Sequence, residues 1–172
     1  MSFQDLISSR RGPALILILA CAGLLLGALF FQYVVGLAPC ALCIYQRWPH
    51  LVVLVLAALA LLFARPDRSP ARAGLLALAG VSLLVTAGVG VFHVGVEQHW
   101  WEGLASCTGG TGAATIEDLR AQIMNAPVVR CDDIAWQMFG ISMAGYNVLI
   151  STALAVFAFL AARAALLPRR TA

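Results

Sequence analysis

Four uninterrupted apolar runs decide what this chain can become. They cover approximately residues 13–35, 44–63, 74–96 and 141–162. Each is close to the ~20 residues that cross a ~30 Å hydrocarbon layer as a helix. The runs are continuous rather than alternating, which argues against membrane strands. In lipid the backbone must satisfy its own hydrogen bonds, so each run is predicted to be a helix. The chain has 172 residues, of which 62% are hydrophobic and 11% charged. Soluble domains hold roughly 45–50% and about 25%, so the solvent for most of this surface is the lipid bilayer. The expected fold is all-α. A single domain over residues 1–172 forms an antiparallel bundle of four transmembrane helices, with a short loop at 36–43 and a long loop at 97–140.

All eleven basic residues are Arg. With a cytoplasmic N-terminus, eight of them (10, 11, 65, 68, 72, 163, 169 and 170) fall inside, and Arg47, Arg120 and Arg130 fall outside. That asymmetry is a positive-inside signal for two cytoplasmic termini. Trp48, Trp100, Trp101 and Trp136 all lie near the outer boundary, where indoles settle. Scattered Arg residues form no patch suited to nucleic acid, so no nucleic-acid partner is expected. The first run exceeds a typical signal-peptide core and lacks a convincing cleavage site, so a retained helix is expected.

The stretch "ARPDRSPAR", 64–72, reads as a tight cytoplasmic turn stopped by two prolines. The long loop opens on a polar-aromatic interface segment, "EQHWWEG", and continues through the Gly-, Ser- and Thr-rich "SCTGGTGAAT". "TIEDLRAQIMN" is predicted to be a short interfacial helix capped by Thr115. "CDDIAWQMFG" is predicted to add a second interfacial helical turn, with Ile134, Trp136, Met138 and Phe139 on its apolar side.

Five cysteines divide unevenly. Cys40 and Cys43 sit in the short outer loop, Cys107 and Cys131 in the long one, and Cys21 in the middle of the first span. Cys21 reads as a small buried hydrophobe. A disulfide closing the loop between Cys107 and Cys131 would contribute roughly 3–4 kcal/mol by chain entropy. No such gain follows from Cys40–Cys43, because two intervening residues close almost no loop. A C-x-x-C pair is usually redox-active or metal-binding. Zinc is the poorer reading, since only one pair has ligand spacing, and no metal is expected.

The redox reading accounts for Arg47. A helix starting near residues 41–44 puts Cys43 in its first turn, where the helix end favours an anion. Arg47 is four residues on, on the same face and one turn deeper. Both features favour a thiolate at Cys43. A cation just inside the membrane is costly and marks function by default; the competing account is an Arg snorkelling to lipid phosphate. Two outer pairs and a membrane-level thiolate suggest an electron path. A soluble dithiol would reduce one disulfide, exchange would carry the electrons to the other, and an acceptor in the lipid would take them. With no flavin or haem signature present, the natural acceptor is a quinone.

These residues resemble a known family. "PCALCIYQR" resembles the C-x-L-C-x-x-Q-R motif of the DsbB disulfide-bond formation proteins. "FHVGVEQHWWEG", leading to Cys107, and "CDDIAWQMFGISMAGYN", from Cys131, are similar to the second-loop and fourth-helix segments of one branch of that family. The resemblance covers essentially the whole chain. It implies that Cys107 is attacked by a thioredoxin-like DsbA partner, that Cys131 is its disulfide mate and pairs transiently with Cys40, and that Cys43 meets the quinone. It also implies that Arg47 helps bind and polarise that quinone, as a cation beside an oxygen gaining charge should. Family members place a quinone-contacting His near the outer end of the third helix. This sequence offers His93, with Glu97 four residues on along the same face, and His99 at the interface; the competing account of either His is an ordinary interfacial polar residue. His50 could line the same pocket.

The function expected from the resemblance is a protein-disulfide:quinone oxidoreductase of the bacterial inner membrane, its active cysteines periplasmic. It would reoxidise a DsbA-like thiol oxidase and pass the electrons to ubiquinone or menaquinone. Two alternatives stand beside it: a DsbB paralogue with a dedicated partner, and a disulfide-stapled scaffold without turnover.

Overall fold

The computed structural model describes residues 3–63, 69–104, 115–117, 120 and 129–167. In chain order the elements are α1 (Phe3–Ser8), α2 (Gly12–Tyr33), α3 (Ala41–Leu62), α4 (Pro70–Glu97), β1 (Gln137–Met138), β2 (Ile141–Ser142) and α5 (Met143–Leu166). The helices α2 to α5 are long and apolar enough to cross a membrane. Their large outward side chains, such as Leu19, Leu26, Leu62 and Val55, are exposed, as lipid-facing residues should be.

The helix starts follow local chemistry. Pro13 stands in the first turn of α2 and Pro70 in that of α4, where a missing N–H costs nothing. Ser69 caps α4 by accepting from Arg72 N at 3.3 Å, and Ser142 caps α5 by accepting from Gly145 N at 3.1 Å. The cap of α3 is a sulfur: Cys40 Sγ accepts from Cys43 N at 3.1 Å. Pro49 lies inside α3 and breaks its ladder. Two hydroxyls of α4 serve carbonyls around that break. Thr86 Oγ1 donates to Gln46 O at 2.9 Å, and Ser82 Oγ donates to Pro49 O at 3.0 Å.

The main core runs through all four long helices. Leu17 and Cys21 of α2 meet Val53 and Ala57 of α3, Leu76 and Leu83 of α4, and Ala155 and Ala158 of α5. Cys21 is fully buried there and packs as the small hydrophobe expected. Small residues let α4 and α5 approach, the usual basis of helix association in lipid. A Cβ on Gly90 would lie 2.8 Å from Val148 Cγ2 and 3.3 Å from both Ala144 O and Asn147 Nδ2. At the end away from Cys40, buried Arg72 donates to Ser9 O at 2.8 Å and ties the N-terminal segment to α4.

One expected element is corrected. The segment from Cys131 does not form a helical turn but leads into a hairpin, with Gln137 opposite Ser142 and Met138 opposite Ile141. Its two turn residues, Phe139 (φ 52°) and Gly140 (φ 76°), both have left-handed backbones, which suits a tight two-residue connection. Ile134, Met138 and Phe139 are exposed, while half-buried Trp136 packs on Phe31 and Tyr146 at ring centroid distances of 5.2 and 6.2 Å. The helix expected from Thr115 falls mostly outside the described residues, as does Cys107.

Substituting Gly90→Leu is expected to cost about 1–3 kcal/mol by overpacking the α4–α5 seam. The check is the unfolding midpoint in detergent; a midpoint equal to that of the parent protein would contradict the close approach described.

Candidate functional site

Where α3 begins, its first turn faces the last two turns of α4. Cys40 is the cap and Cys43 the third residue of the helix, so the two sulfurs are neighbours by construction. His93 on α4 reaches them: its Nε2 lies 3.6 Å from Cys40 Sγ. Ligand atoms of Cys40, Cys43 and His93 all lie within 4.8 Å of one another. Both cysteines are free, as is Cys21. Cys40 is buried and Cys43 half-buried. The hydrogen bond to the Cys43 side chain and burial push the Cys40 thiol well above the ordinary thiol range, against the smaller lowering effect of the Cys43 backbone N–H, so Cys40 keeps its proton at neutral pH.

Cys131 is disulfide-bonded. It is fully buried in one apolar cluster with Cys40, Leu42 and Val96, against which Cys43 and Phe92 pack. The His93 ring is within hydrogen-bonding reach of the Cys131 main chain. Just before Cys131, Arg130 donates to Asp132 Oδ1 at 2.9 Å. That hydrogen bond and charge hold the Asp132 carboxyl down at about 2.

A cavity of about 370 Å³ opens beside the sulfurs. Leu24, Ala28 and Phe31 of α2 give it an apolar wall, and Cys43, Arg47 and His93 are among its polar groups. Arg47 donates to Gln32 Oε1 at 2.6 Å, so α2 holds the guanidinium at the cavity edge. Glu97 also lines the cavity; its Oε1 is 3.8 Å from His93 Nε2, and its Oε2 accepts from Ser142 Oγ at 2.5 Å.

The site residues expected from the sequence thus divide. Cys40, Cys43, Arg47, His93 and Glu97 share one cavity wall, and Cys131 packs behind it. His99 stands apart. Its backbone is left-handed (φ 57°), its ring contacts Val96 O at 3.2 Å, and it does not line the cavity. His50 is buried and does line it. Sequence reasoning missed Gln46, Asn147 and Thr86, which form a polar chain next to His93, with Gln46 and Thr86 buried and Asn147 half-buried. The signal was available, because polar side chains within membrane spans are functional by default.

Comparison with known proteins bears on this geometry. The family model described as "Disulfide bond formation protein DsbB" matches residues 10–161. The chain is 32% identical over 165 residues to Disulfide bond formation protein B of Aromatoleum aromaticum, covering 91% of this chain and 95% of that one. It is likewise 32% identical over 160 residues to the protein of the same name from Xanthomonas oryzae pv. oryzae, covering 87% and 88%. The Polaromonas naphthalenivorans protein of that name is 29% identical over 151 residues, covering 84% and 86%. No solved structure matches the chain significantly.

The chain belongs to the DsbB family. With four spanning helices it is a multi-pass membrane protein of the disulfide-forming oxidoreductases. The DsbB match includes both ends of the cavity described above, since residues 10–161 contain every cavity-lining side chain.

The Arg130–Asp132 pair carries a pH prediction. The folded value of Asp132 lies below the ordinary 3.8, so its stabilising effect is complete above about pH 4 and is lost as pH falls through about 2. Carbon NMR of the Asp132 carboxyl should give a midpoint near 2, returning toward about 3.9 in Arg130→Gln. An unchanged midpoint in the variant would show that Arg130 is not the cause.

Proposed function

We propose that this protein oxidises a periplasmic DsbA-like dithiol and passes two electrons, through two cysteine pairs, to membrane quinone. One observation carries the reading. The buried, disulfide-bonded Cys131 packs against a C-x-x-C pair that itself borders an apolar cavity edged by a guanidinium. The positive-inside count supports the reading that this end of the bundle faces the periplasmic side of the inner membrane.

The cavity suits a quinone head group. It is apolar with a few convergent polar groups, and of the size of small-molecule sites. Arg47 would hold a carbonyl oxygen, the His93 ring would border the head group, and Leu24, Ala28 and Phe31 would cover it. When bound, the quinone supplies an acceptor for two electrons and two protons. Ubiquinone and menaquinone present the same carbonyl chemistry to these groups.

The protein's own steps are thiol–disulfide exchanges. The partner's thiolate attacks Cys107 and releases Cys131 as a thiolate. Cys131 attacks Cys40 of an oxidised Cys40–Cys43 pair, forming Cys40–Cys131 and releasing Cys43 as a thiolate. The partner's second thiol then closes the partner's own disulfide and frees Cys107 as a thiolate, which attacks Cys131 and expels Cys40, so Cys107–Cys131 is restored and Cys40 and Cys43 are left as the reduced pair. Two sulfurs then become one S–S bond as two electrons and two protons leave for the cavity. Arg47 stabilises the negative charge that develops there, and Glu97 lies close enough to His93 to accept or deliver a proton at this wall.

Anaerobic mixing of purified protein, quinone and a reduced thioredoxin-fold donor tests the proposal by quinone absorbance. Donor-dependent quinone loss is expected in the parent protein and none in Cys40→Ser or Cys107→Ser. Undiminished loss in either variant removes that cysteine from the path. Arg47→Leu should lower turnover by about 10²-fold, the usual effect of removing one donor from a developing oxyanion. Turnover within a factor of about two would leave Arg47 a lipid-facing cation only.

A further inference from the structure

Gln46 and Asn147 are polar, lie inside membrane spans, and have no role in the electron path above. Their hydrogen bonds fix which way each amide points. Thr86 Oγ1 uses its only hydrogen on Gln46 O at 2.9 Å, so toward Asn147 it can only accept. The Asn147 atom 3.1 Å from it must therefore be the NH2 group, which also reaches the Thr86 carbonyl at 3.3 Å. Ser151 Oγ donates to the other end, Asn147 Oδ1, at 3.0 Å. Asn147 then donates to Gln46 Oε1 at 2.7 Å. The Gln46 NH2 is pinned separately, since it faces the Leu42 carbonyl at 3.3 Å, and a carbonyl only accepts.

This same NH2 lies 2.9 Å from His93 Nδ1. Two donors cannot face each other, so Nδ1 bears a lone pair and the proton of the neutral ring sits on Nε2. Cys40 Sγ lies 3.6 Å and Glu97 Oε1 3.8 Å from Nε2, and the Cys131 main chain is a further acceptor within reach of the ring.

We propose that Gln46 and Asn147 are positioning residues that lock His93 as an Nε2–H donor toward Cys40 Sγ, so that His93 serves the relay as a hydrogen-bond donor and not as a base. Cys40 Sγ then receives two N–H groups, from Cys43 and from His93, already in place when charge develops on it. The proton that Cys40 gives up cannot go to Nε2, which is occupied, nor to Nδ1, which the Gln46 amide covers. The bases left at this wall are the neighbouring Cys43 sulfur and Glu97. The same lock keeps the three-ligand cluster of Cys40, Cys43 and His93 from closing on a metal, because an Nε2 that carries a proton cannot ligate.

The inference rests on the proposed relay for its purpose but not for its test. Nitrogen-15 NMR of histidine-labelled protein, in detergent, without quinone or donor, reads the tautomer directly. The parent protein should show His93 Nδ1 as a bare nitrogen and Nε2 as N–H across neutral pH. Its Nδ1 bearing the proton, or a ring that becomes doubly protonated near neutrality, would overturn the lock whatever the quinone assay gives. In Gln46→Leu and in Asn147→Leu both tautomers should appear, and turnover should fall about tenfold with the quinone KM nearly unchanged, as for other residues that orient a functional His. Retention of the single Nε2–H form in both variants, or unaltered turnover, would remove the positioning role. Should the parent tautomer be as stated while quinone reduction fails, the relay is wrong and the lock stands.

Discussion

A side-chain amide inside a hydrocarbon layer has no water to fall back on, so it must find its partners on neighbouring helices. Gln46, Thr86, Asn147 and Ser151 meet this constraint with one another, across α3, α4 and α5. Interhelical hydrogen bonds in membranes contribute on average only about 0.6 kcal/mol each. Their sum is a few kcal/mol, modest beside the packing of four spanning helices. What they provide is direction. Each group has so few alternatives that the amide orientations, and through them the His93 ring, are determined.

Packing and polarity depend on the same seam. Gly90 removes the side chain that would keep α5 away from α4, and a Cβ there would crowd Asn147 Nδ2 itself. The close approach brings Asn147 to Thr86 and Gln46. Pro49, three residues past Gln46, leaves the Tyr45 carbonyl without its helical donor, and in this part of α3 the Gln46 and Pro49 carbonyls accept hydroxyls of α4. A glycine on one helix and a proline on the next therefore serve a single arrangement. Neither would be informative alone, since both residues are common in membrane helices.

Much of this could be read from the sequence because its signals are local. Four apolar runs of spanning length gave the bundle. The start of α3 followed from the C-x-x-C pair, and Arg47 from its place four residues beyond Cys43. The choice between His93 and His99 needed the end of α4: helix geometry continues through Glu97 and stops before the left-handed backbone of His99. That carries His99 off the face shared by His93 and Glu97. The hairpin at 137–142 was misread as helix because Ile134, Trp136, Met138 and Phe139 are apolar at spacings that either structure accepts. The two positive φ angles that decide it are visible only as a single glycine. Gln46 and Asn147 are 101 residues apart, and nothing in either neighbourhood says that their helices touch.

The sulfur cap of α3 links redox state to the fold. An N-cap side chain and the N–H of the third helical residue meet in any well-formed helix start, so Cys40 and Cys43 are adjacent because the helix exists. The reduced Cys40 sulfur accepts the Cys43 N–H at 3.1 Å. A sulfur tied up in an S–S bond carries less negative charge and is a weaker acceptor, so reduction strengthens the start of the helix and oxidation weakens it. By linkage, the stabilisation gained on reduction makes the pair a better oxidant. Oxygen caps contribute about 0.5–2 kcal/mol, and even the lower figure moves a two-electron potential by about 10 mV. The His93 N–H acts on the same atom in the same direction. In the proposed relay, two donors aimed at Cys40 would favour drawing electrons from the Cys131 pair over letting them return, while Arg47, one turn deeper, would favour their departure into the cavity.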